Sequence, residues 1–255
     1  MGHRGDSTKA PENTILSLKA ALEVGVDFLE SDLRLTHDNE LVLFHDDDMA
    51  RTTGEPGSVK DCTLEELRQL DFGKMFTQDG ISYPFRNKGL TILTLREVFE
   101  ELGDVKINLD IKDLDARTPH LLAAMIDEYD KRSSVVVASF NPIQMKRFRT
   151  TMPEAITSAH PGEVRNFVLG TKLRVETLLS RNIQFQAFQV PVKYGLLSIV
   201  NERFVEQAHQ RGIAIHVYTI NKREEIEWLI ELGVDGIFTD EPVLMREVLS
   251  ERGLL

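Results

Sequence analysis

A chain of 255 residues, 42% apolar and 28% charged, is long enough for one domain with a sizeable core and has the make-up of a soluble globular protein. Its formal net charge of −11 argues against nucleic acid or an anionic membrane surface as the main partner, and no apolar run approaches the roughly 18 residues that stable membrane insertion needs. The single cysteine, Cys62, excludes an intrachain disulfide and a thiolate cluster, so any metal has oxygen or imidazole ligands.

In chain order, β-branched runs alternate with helical periodicity. Met1 to Asp6 lack the apolar segment of a secretory signal and the Ser or Thr of a myristoylation site; with one cysteine, the expected location is the cytoplasm. Only Met1 and Gly2 stand before His3, so a first strand ending there is expected to be nearly absent. A helix over 14–24 leads into a strand over 28–35. The rhythm then breaks, because 46–93 offers no clean strand–helix unit, only an expected hairpin, a helix over 64–70 and the polar loop Gly54-Glu55-Pro56-Gly57. A long excursion of this kind is usually functional or disordered. Following directly on His45, it is expected to cap the mouth of a site. Strands over 106–111, 135–139, 156–159, 187–191, 214–219 and 236–239 follow, with helices over 94–102, 118–129, 142–151, 164–180, 202–211, 222–232 and 242–249 between and after them. Asn141 before Pro142 reads as a helix cap, and Gly212 and Gly233 stand just past helix ends. The alternation predicts one α/β domain over 1–255, a (β/α)8 TIM barrel with a small insertion after the second strand. A doubly wound open sheet is the alternative.

In a barrel, functional groups gather at the carboxyl ends of the strands. Glu30 and Asp32 lie two apart and share one face of their strand. On a solvated edge strand that would mean little, but a barrel strand is covered on its outer face, which turns both carboxylates into the lumen. Two close buried carboxylates need a cation or a proton between them. Asp110 adds a third at the end of the next strand, and three carboxylates without cysteine describe a hard-oxygen site for Mg²⁺ or Ca²⁺ rather than zinc. Lys112 shares a face with Asp110, where it meets either an anionic substrate oxygen or a carboxylate, Asp110 or Asp113. Of the seven histidines, His3 and His45 stand at strand ends, where an imidazole suits proton transfer. His37 falls in a turn, His120, His160 and His209 stand in no motif, and His216 reads as a packing residue. The run Asp46-Asp47-Asp48 reads as a solvated loop.

Several stretches, in order, resemble the glycerophosphodiester phosphodiesterase family: His3-Arg4-Gly5 with Pro11-Glu12-Asn13-Thr14, Glu30 to Thr36, Leu41 to Asp46, Thr52-Thr53-Gly54, Thr63 to Leu67, Tyr218-Thr219-Ile220-Asn221 and Gly233 to Asp240. The resemblance implies metal-dependent hydrolysis of glycerophosphodiesters to sn-glycerol 3-phosphate and an alcohol. It makes Glu30, Asp32 and Asp110 ligands of one divalent cation and His3 and His45 the acid–base pair. Arg4 and Lys112 fall at the phosphate, Glu12 borders the site as support for the first His or the metal, and Tyr218 joins the substrate wall. Two positions depart from the family pattern: Asp110 stands where the family usually has Glu, and Tyr218 where it usually has Trp. The alternatives are a lysophospholipase D acting on lysolipids and an inactive phosphate-binding barrel. For the lysolipid reading, Met49, Phe72, Met75, Phe76 and Phe85 of the insertion line a groove or else form the core of the cap.

Overall fold

The computed structural model describes residues 1–173, 183–195 and 197–255. In chain order its strands are β1 (Gly2–His3), β2 (Leu29–Leu35), β3 (Leu41–Leu43), β4 (Ile107–Ile111), β5 (Val135–Ala138), β6 (Ile156–Thr157), β7 (Ala187–Val190), β8 (Lys193–Tyr194), β9 (Leu197–Ser198), β10 (Ala214–Val217) and β11 (Gly236–Ile237). The longer helices are α1 (Ile15–Val24), α4 (Leu95–Leu102), α5 (Thr118–Glu128), α6 (Pro142–Thr151), α7 (Pro161–Leu173), α8 (Glu202–His209), α9 (Arg223–Leu232) and α10 (Pro242–Glu251); the short α2 (Ala50–Thr53) and α3 (Leu64–Leu67) lie in the excursion after β3.

The parallel strands form two sheets, β1-β2-β4-β5-β6 and β7-β10-β11. Single parallel bridges join them at both edges, Ser158 to Ala187 and Gly2 to Thr239. The strands thus run round a ring in sequence order, its two seams one bridge wide rather than full ladders. That is the expected TIM-barrel order and not a doubly wound sheet. The nearly absent first strand is two residues long, yet it pairs with Leu29 and Glu30 on one side, and the His3 amide donates to the Thr239 carbonyl at 3.0 Å on the other.

Alternation along the strands separates core from lumen. Leu29, Leu33 and Leu35 of β2 and Ile107, Leu109 and Ile111 of β4 pack outward against Leu18, Val98, Phe99, Leu122 and Phe148 of the surrounding helices. A second cluster joins Phe188, Val190, Ile215 and Val217 to Phe204, Ile226, Leu229 and Val248. Each such fully buried side chain contributes on the order of 1.5–3 kcal/mol. The opposite faces of β2 and β4 carry Glu30, Asp32, Asn108 and Asp110, which only a lumen with charge partners can hold.

Helix starts follow their caps. The Thr14, Thr63 and Thr94 hydroxyls accept from backbone amides three residues on, and Asn141 caps α6 ahead of Pro142. Residues 174–180 of the helix expected over 164–180 lie outside the described residues.

The excursion differs from its expected form. No hairpin lies within 46–93; the antiparallel pair is β2 with β3, Leu33 opposite Leu43, because the chain reverses through Asn39 at φ 71°. The helix expected over 64–70 stops at Leu67. Met49 and Phe72 are buried with Val42, Phe44, Val59, Leu67 and Ile92, and Phe76 meets Phe85 edge-on at 5.2 Å. Met49 and Phe72 thus form the core of the cap, Phe76 and Phe85 are half-buried and Met75 is exposed, and none of the five lines the cavity at the carboxyl ends of the strands.

Candidate active site

A cavity of about 800 Å³ opens at the carboxyl ends of the strands. His3, Arg4, Glu30, Asp32, His45, Asp110, Lys112 and Tyr218 all line it. Glu12 does not: its carboxylate is taken up by Arg4 and Arg51, which leaves it behind the wall rather than on it, in contact with neither His3 nor a metal-site carboxylate.

The two imidazoles are held alike. His3 Nδ1 lies 2.7 Å from Asp240 Oδ1, and His45 Nδ1 lies 2.7 Å from Asp46 Oδ1. An ionised carboxylate only accepts, so each Nδ1–H donates and each Nε2 is left for a ligand. Asp240 also accepts from Asn221 at 2.7 Å and from the Ser7 hydroxyl at 3.3 Å. Burial lowers the His3 pKa, but the Asp240 hydrogen bond and the Glu30 carboxylate outweigh it and raise the pKa overall. Asp46 accepts from Arg51 Nε at 2.5 Å. Burial opposes its ionisation, yet Arg51 and His45 bring its pKa down to about 2. Arg34 completes the second imidazole's support, donating to the His45 carbonyl at 3.2 and 2.6 Å.

Asp46 is therefore not part of a solvated run. Asp47 and Asp48 are exposed, as expected, but Asp46 orients His45. No local pattern marks Asp240, Arg34, Arg51 or Asn13 either, although Asp240 closes the stretch Gly233 to Asp240 at the end of the last strand. Arg51 is the notable one. From α2 in the excursion it grips Asp46 with one nitrogen and Glu12 with the other two, and Glu12 in turn holds Arg4 at 2.8 Å. The cap is thereby tied to both flanks of the polar wall.

Backbone conformation sets the other flank. Arg4 and Asn13 both have positive φ, 57° and 56°, at a cost of about 1–2 kcal/mol each. In return the Arg4 amide donates to Glu30 Oε2 at 3.0 Å, and buried Asn13 donates to Asp32 Oδ2 at 3.0 Å while accepting from Ser31. Gly5 makes this turn possible: a Cβ there would meet the Ser17 backbone at 2.4 Å.

Glu30, Asp32 and Asp110 stand on adjacent strands, with Asp32 directly opposite Asp110. Lys112 Nζ lies 2.6 Å from Asp110 Oδ2 and 3.1 Å from Asp32 Oδ1, so the carboxylate partner is Asp110, joined by Asp32 and not Asp113, in a side chain that also lines the cavity. Arg4 Nε is 3.2 Å from Asp32 Oδ2, close enough for ion pairing but not aligned for a hydrogen bond. Burial would raise the Asp32 pKa, but Lys112 and Arg4 lower it. For Glu30, burial and then Asp32 drive the pKa well above the carboxylate range; Asp110 rises through burial despite Lys112. Tyr218 reaches about 12, through burial and then Asp110.

The expected ligand set is brought to one wall but not drawn together, since no cluster of three metal-ligating side chains forms among the described residues. The Lys112 ammonium lies between two of its members, Asp32 and Asp110. The donors nonetheless suit a hard divalent cation: all are carboxylate oxygens, and Asp110 Oδ1 is buried without a hydrogen-bond partner.

The far wall is of another kind. Phe140, Val168, Leu169, Val190 and Leu197 line it, from the end of β5, α7 and the β7–β9 segment. The apolar lining therefore comes from the side of the barrel opposite the cap.

A ring of parallel strands with paired imidazoles, carboxylates and cations at its carboxyl ends defines a (β/α)8-barrel protein with a site for an anionic ligand. The chain belongs to the glycerophosphoryl diester phosphodiesterase family, whose sequence model matches residues 3–244. It is 33% identical over 260 residues to a glycerophosphodiester phosphodiesterase of Caldanaerobacter subterraneus subsp. tengcongensis, covering 99% of this chain and 98% of that one. A Bacillus subtilis glycerophosphodiester phosphodiesterase is 29% identical, over 97% of this chain and 85% of the relative. An Oleispira antarctica phosphodiesterase, solved in complex with the product sn-glycerol-3-phosphate, superposes with a TM-score of 0.76 at 26% identity, covering 98% of this chain and 95% of the other.

Proposed function

We propose that this protein hydrolyses glycerophosphodiesters to sn-glycerol 3-phosphate and an alcohol. The observation that carries this reading is the matched pair of imidazoles, each held through Nδ1 by its own aspartate, facing one cavity in a chain of this family. One imidazole takes the proton of the attacking oxygen, from water or a neighbouring glycerol hydroxyl, and the other protonates the departing alkoxide. Arg4 and Lys112 offset the charge of the phosphoryl oxygens. Glu30, Asp32 and Asp110 would hold one divalent cation, Mg²⁺ or Ca²⁺, which when bound supplies Lewis-acid polarisation of the phosphoryl group. One methylene shorter than Glu, Asp110 withdraws its carboxylate by about 1.5 Å, which favours the looser coordination of Ca²⁺.

The test is release of sn-glycerol 3-phosphate from glycerophosphocholine and glycerophosphoethanolamine in EDTA, Mg²⁺ and Ca²⁺ in turn. Loss of activity in EDTA and its return with one metal is the expected result; no product with any metal would overturn the reading. A second reading, hydrolysis of lysolipids, draws on the apolar far wall, which has the chemistry to take an acyl chain. Turnover of lysophosphatidylcholine in detergent, exceeding that of glycerophosphocholine, would favour it. The lone Cys62 supports a reducing compartment such as the cytoplasm, and the net charge of −11 speaks against nucleic acid as a partner. No helix among the described residues is long and apolar enough to cross a membrane.

A further inference from the structure

Four cationic side chains line the cavity among the described residues, and they fall into two pairs. Arg4 and Lys112, at the deep end, are committed to Glu12, Asp32 and Asp110. Arg165 and Lys172, on α7 at the far wall, are exposed, and their side chains make no ion pair or hydrogen bond among the described residues. They stand seven positions apart, two turns of helix, with Val168 and Leu169 between them on the same cavity-lining face. The face of α7 that looks into the cavity is thus apolar in its middle and cationic at both ends.

The acids are distributed the other way. Every acidic residue lining the cavity among the described residues, Glu30, Asp32 and Asp110, belongs to the deep end; none lines the far wall. A substrate with its phosphodiester at the deep end directs its alcohol toward α7. Among the described residues, a cationic alcohol would meet two unpaired cations there and no carboxylate. Phe140 offers it little, because Lys112 already lies 5.5 Å from that ring. An alcohol with its own negative charge finds two free donors and an apolar surface between them.

We propose that Arg165 and Lys172 form a second anion subsite, which selects phosphodiesters whose departing alcohol carries a phosphate of its own. This rests on the glycerophosphodiester reading for the scissile phosphate and adds the class of alcohol. Both cations are exposed, so their effect is long-range, sensitive to salt, and expressed in KM rather than kcat.

The experiment compares kcat/KM on glycerophosphoinositol 4-phosphate, glycerophosphoinositol and glycerophosphocholine at low salt and at about 0.5 M salt, where charges are screened within a few ångströms. The wild type is expected to prefer the phosphorylated alcohol over the uncharged one by about tenfold at low salt, through KM, and to lose that preference at high salt. In the double variant Arg165→Glu with Lys172→Glu the ratio is expected to fall below one; Arg165→Gln with Lys172→Gln, the milder change, is expected to bring it near one. Equal turnover of the three substrates, a preference for the choline ester, or a preference that survives both variants would overturn the subsite while leaving the hydrolytic function intact. Hydrolysis of none of them would remove the functional reading itself, and the subsite with it.

Discussion

The two walls of the cavity obey different rules. On the polar wall the charges are held by partners: Asp32 lies against Asn13, Arg4 and Lys112, His45 is held at its ring by Asp46 and at its carbonyl by Arg34, and Asp110 keeps one oxygen unpartnered. On the far wall, Leu169 and Lys172 are exposed, and Arg165 is free. Removing one member of a buried charge network leaves its partners uncompensated, so the polar wall tolerates little change. The far wall has no such constraint, and under the proposed function substitutions there are expected to alter what binds without altering the chemistry. The difference teaches where to look for each proposed property: reaction class at the ends of β1, β2, β3 and β4, substrate range on α7 and the loops beside it.

The contrast is sharpest in stability. Lys112→Met leaves Asp32 and Asp110 facing each other without their cation, and breaking a buried pair in this way costs about 3–5 kcal/mol. Chemical denaturation in EDTA is expected to show a loss of that size. Leu169→Ala on the far wall, at a side chain 48% exposed, is expected to stay within about 0.5 kcal/mol of wild type. Equal losses at the two positions would break the comparison.

A smaller effect is expected at Asn13. Replacing it with Ala removes the amide that donates to buried Asp32 and forfeits about 1–3 kcal/mol. A change below about 0.3 kcal/mol in the same assay would mean that Arg4 and Lys112 satisfy Asp32 without help.

The smallest is a dependence on pH. The Asp46 pKa is lowered from 3.8 to about 2, so the unfolded state binds this proton first. Its contribution to stability is fully present above the unfolded value of 3.8 and is lost as pH falls through about 2. The stability gap between wild type and Asp46→Asn is expected to narrow across that window. A gap that stays constant from pH 5 to pH 2 would show that Asp46 is not ionised against Arg51 and His45.

Much of the polar wall was legible in the sequence because strand alternation is a local rule. Glu30 and Asp32, two apart, had to share a face, and a barrel strand leaves that face only the lumen. What pairs across the ring was not legible. Asp240 meets His3 from 237 positions away, through the closure of the last strand on the first, and no local pattern reports such a contact. Asp46 was hidden by its neighbours: in a run of three aspartates nothing local separates the one that turns inward. The apolar residues of the cap fitted either a groove or a core, and the apolar lining of the cavity comes from the opposite side. Apolar spacing predicts that side chains are buried, not against which neighbour, and Met49 and Phe72 are buried within the cap. Lys112 was read as meeting substrate or carboxylate, and its position between two carboxylates on adjacent strands depends on the register of β2 with β4.

The central claim is that His3 and His45 divide acid and base between them, and leaving-group dependence tests it most directly. Turnover of wild type, His3→Ala and His45→Ala would be measured on glycerophosphocholine and on the p-nitrophenyl ester of glycerol 3-phosphate, whose leaving group needs no proton. Both variants are expected to lose about 10²–10⁴-fold on the choline ester, and one of them, the variant lacking the acid, to recover most of its activity on the nitrophenyl ester. Equal losses on both substrates in both variants, or no loss in either, would contradict the account.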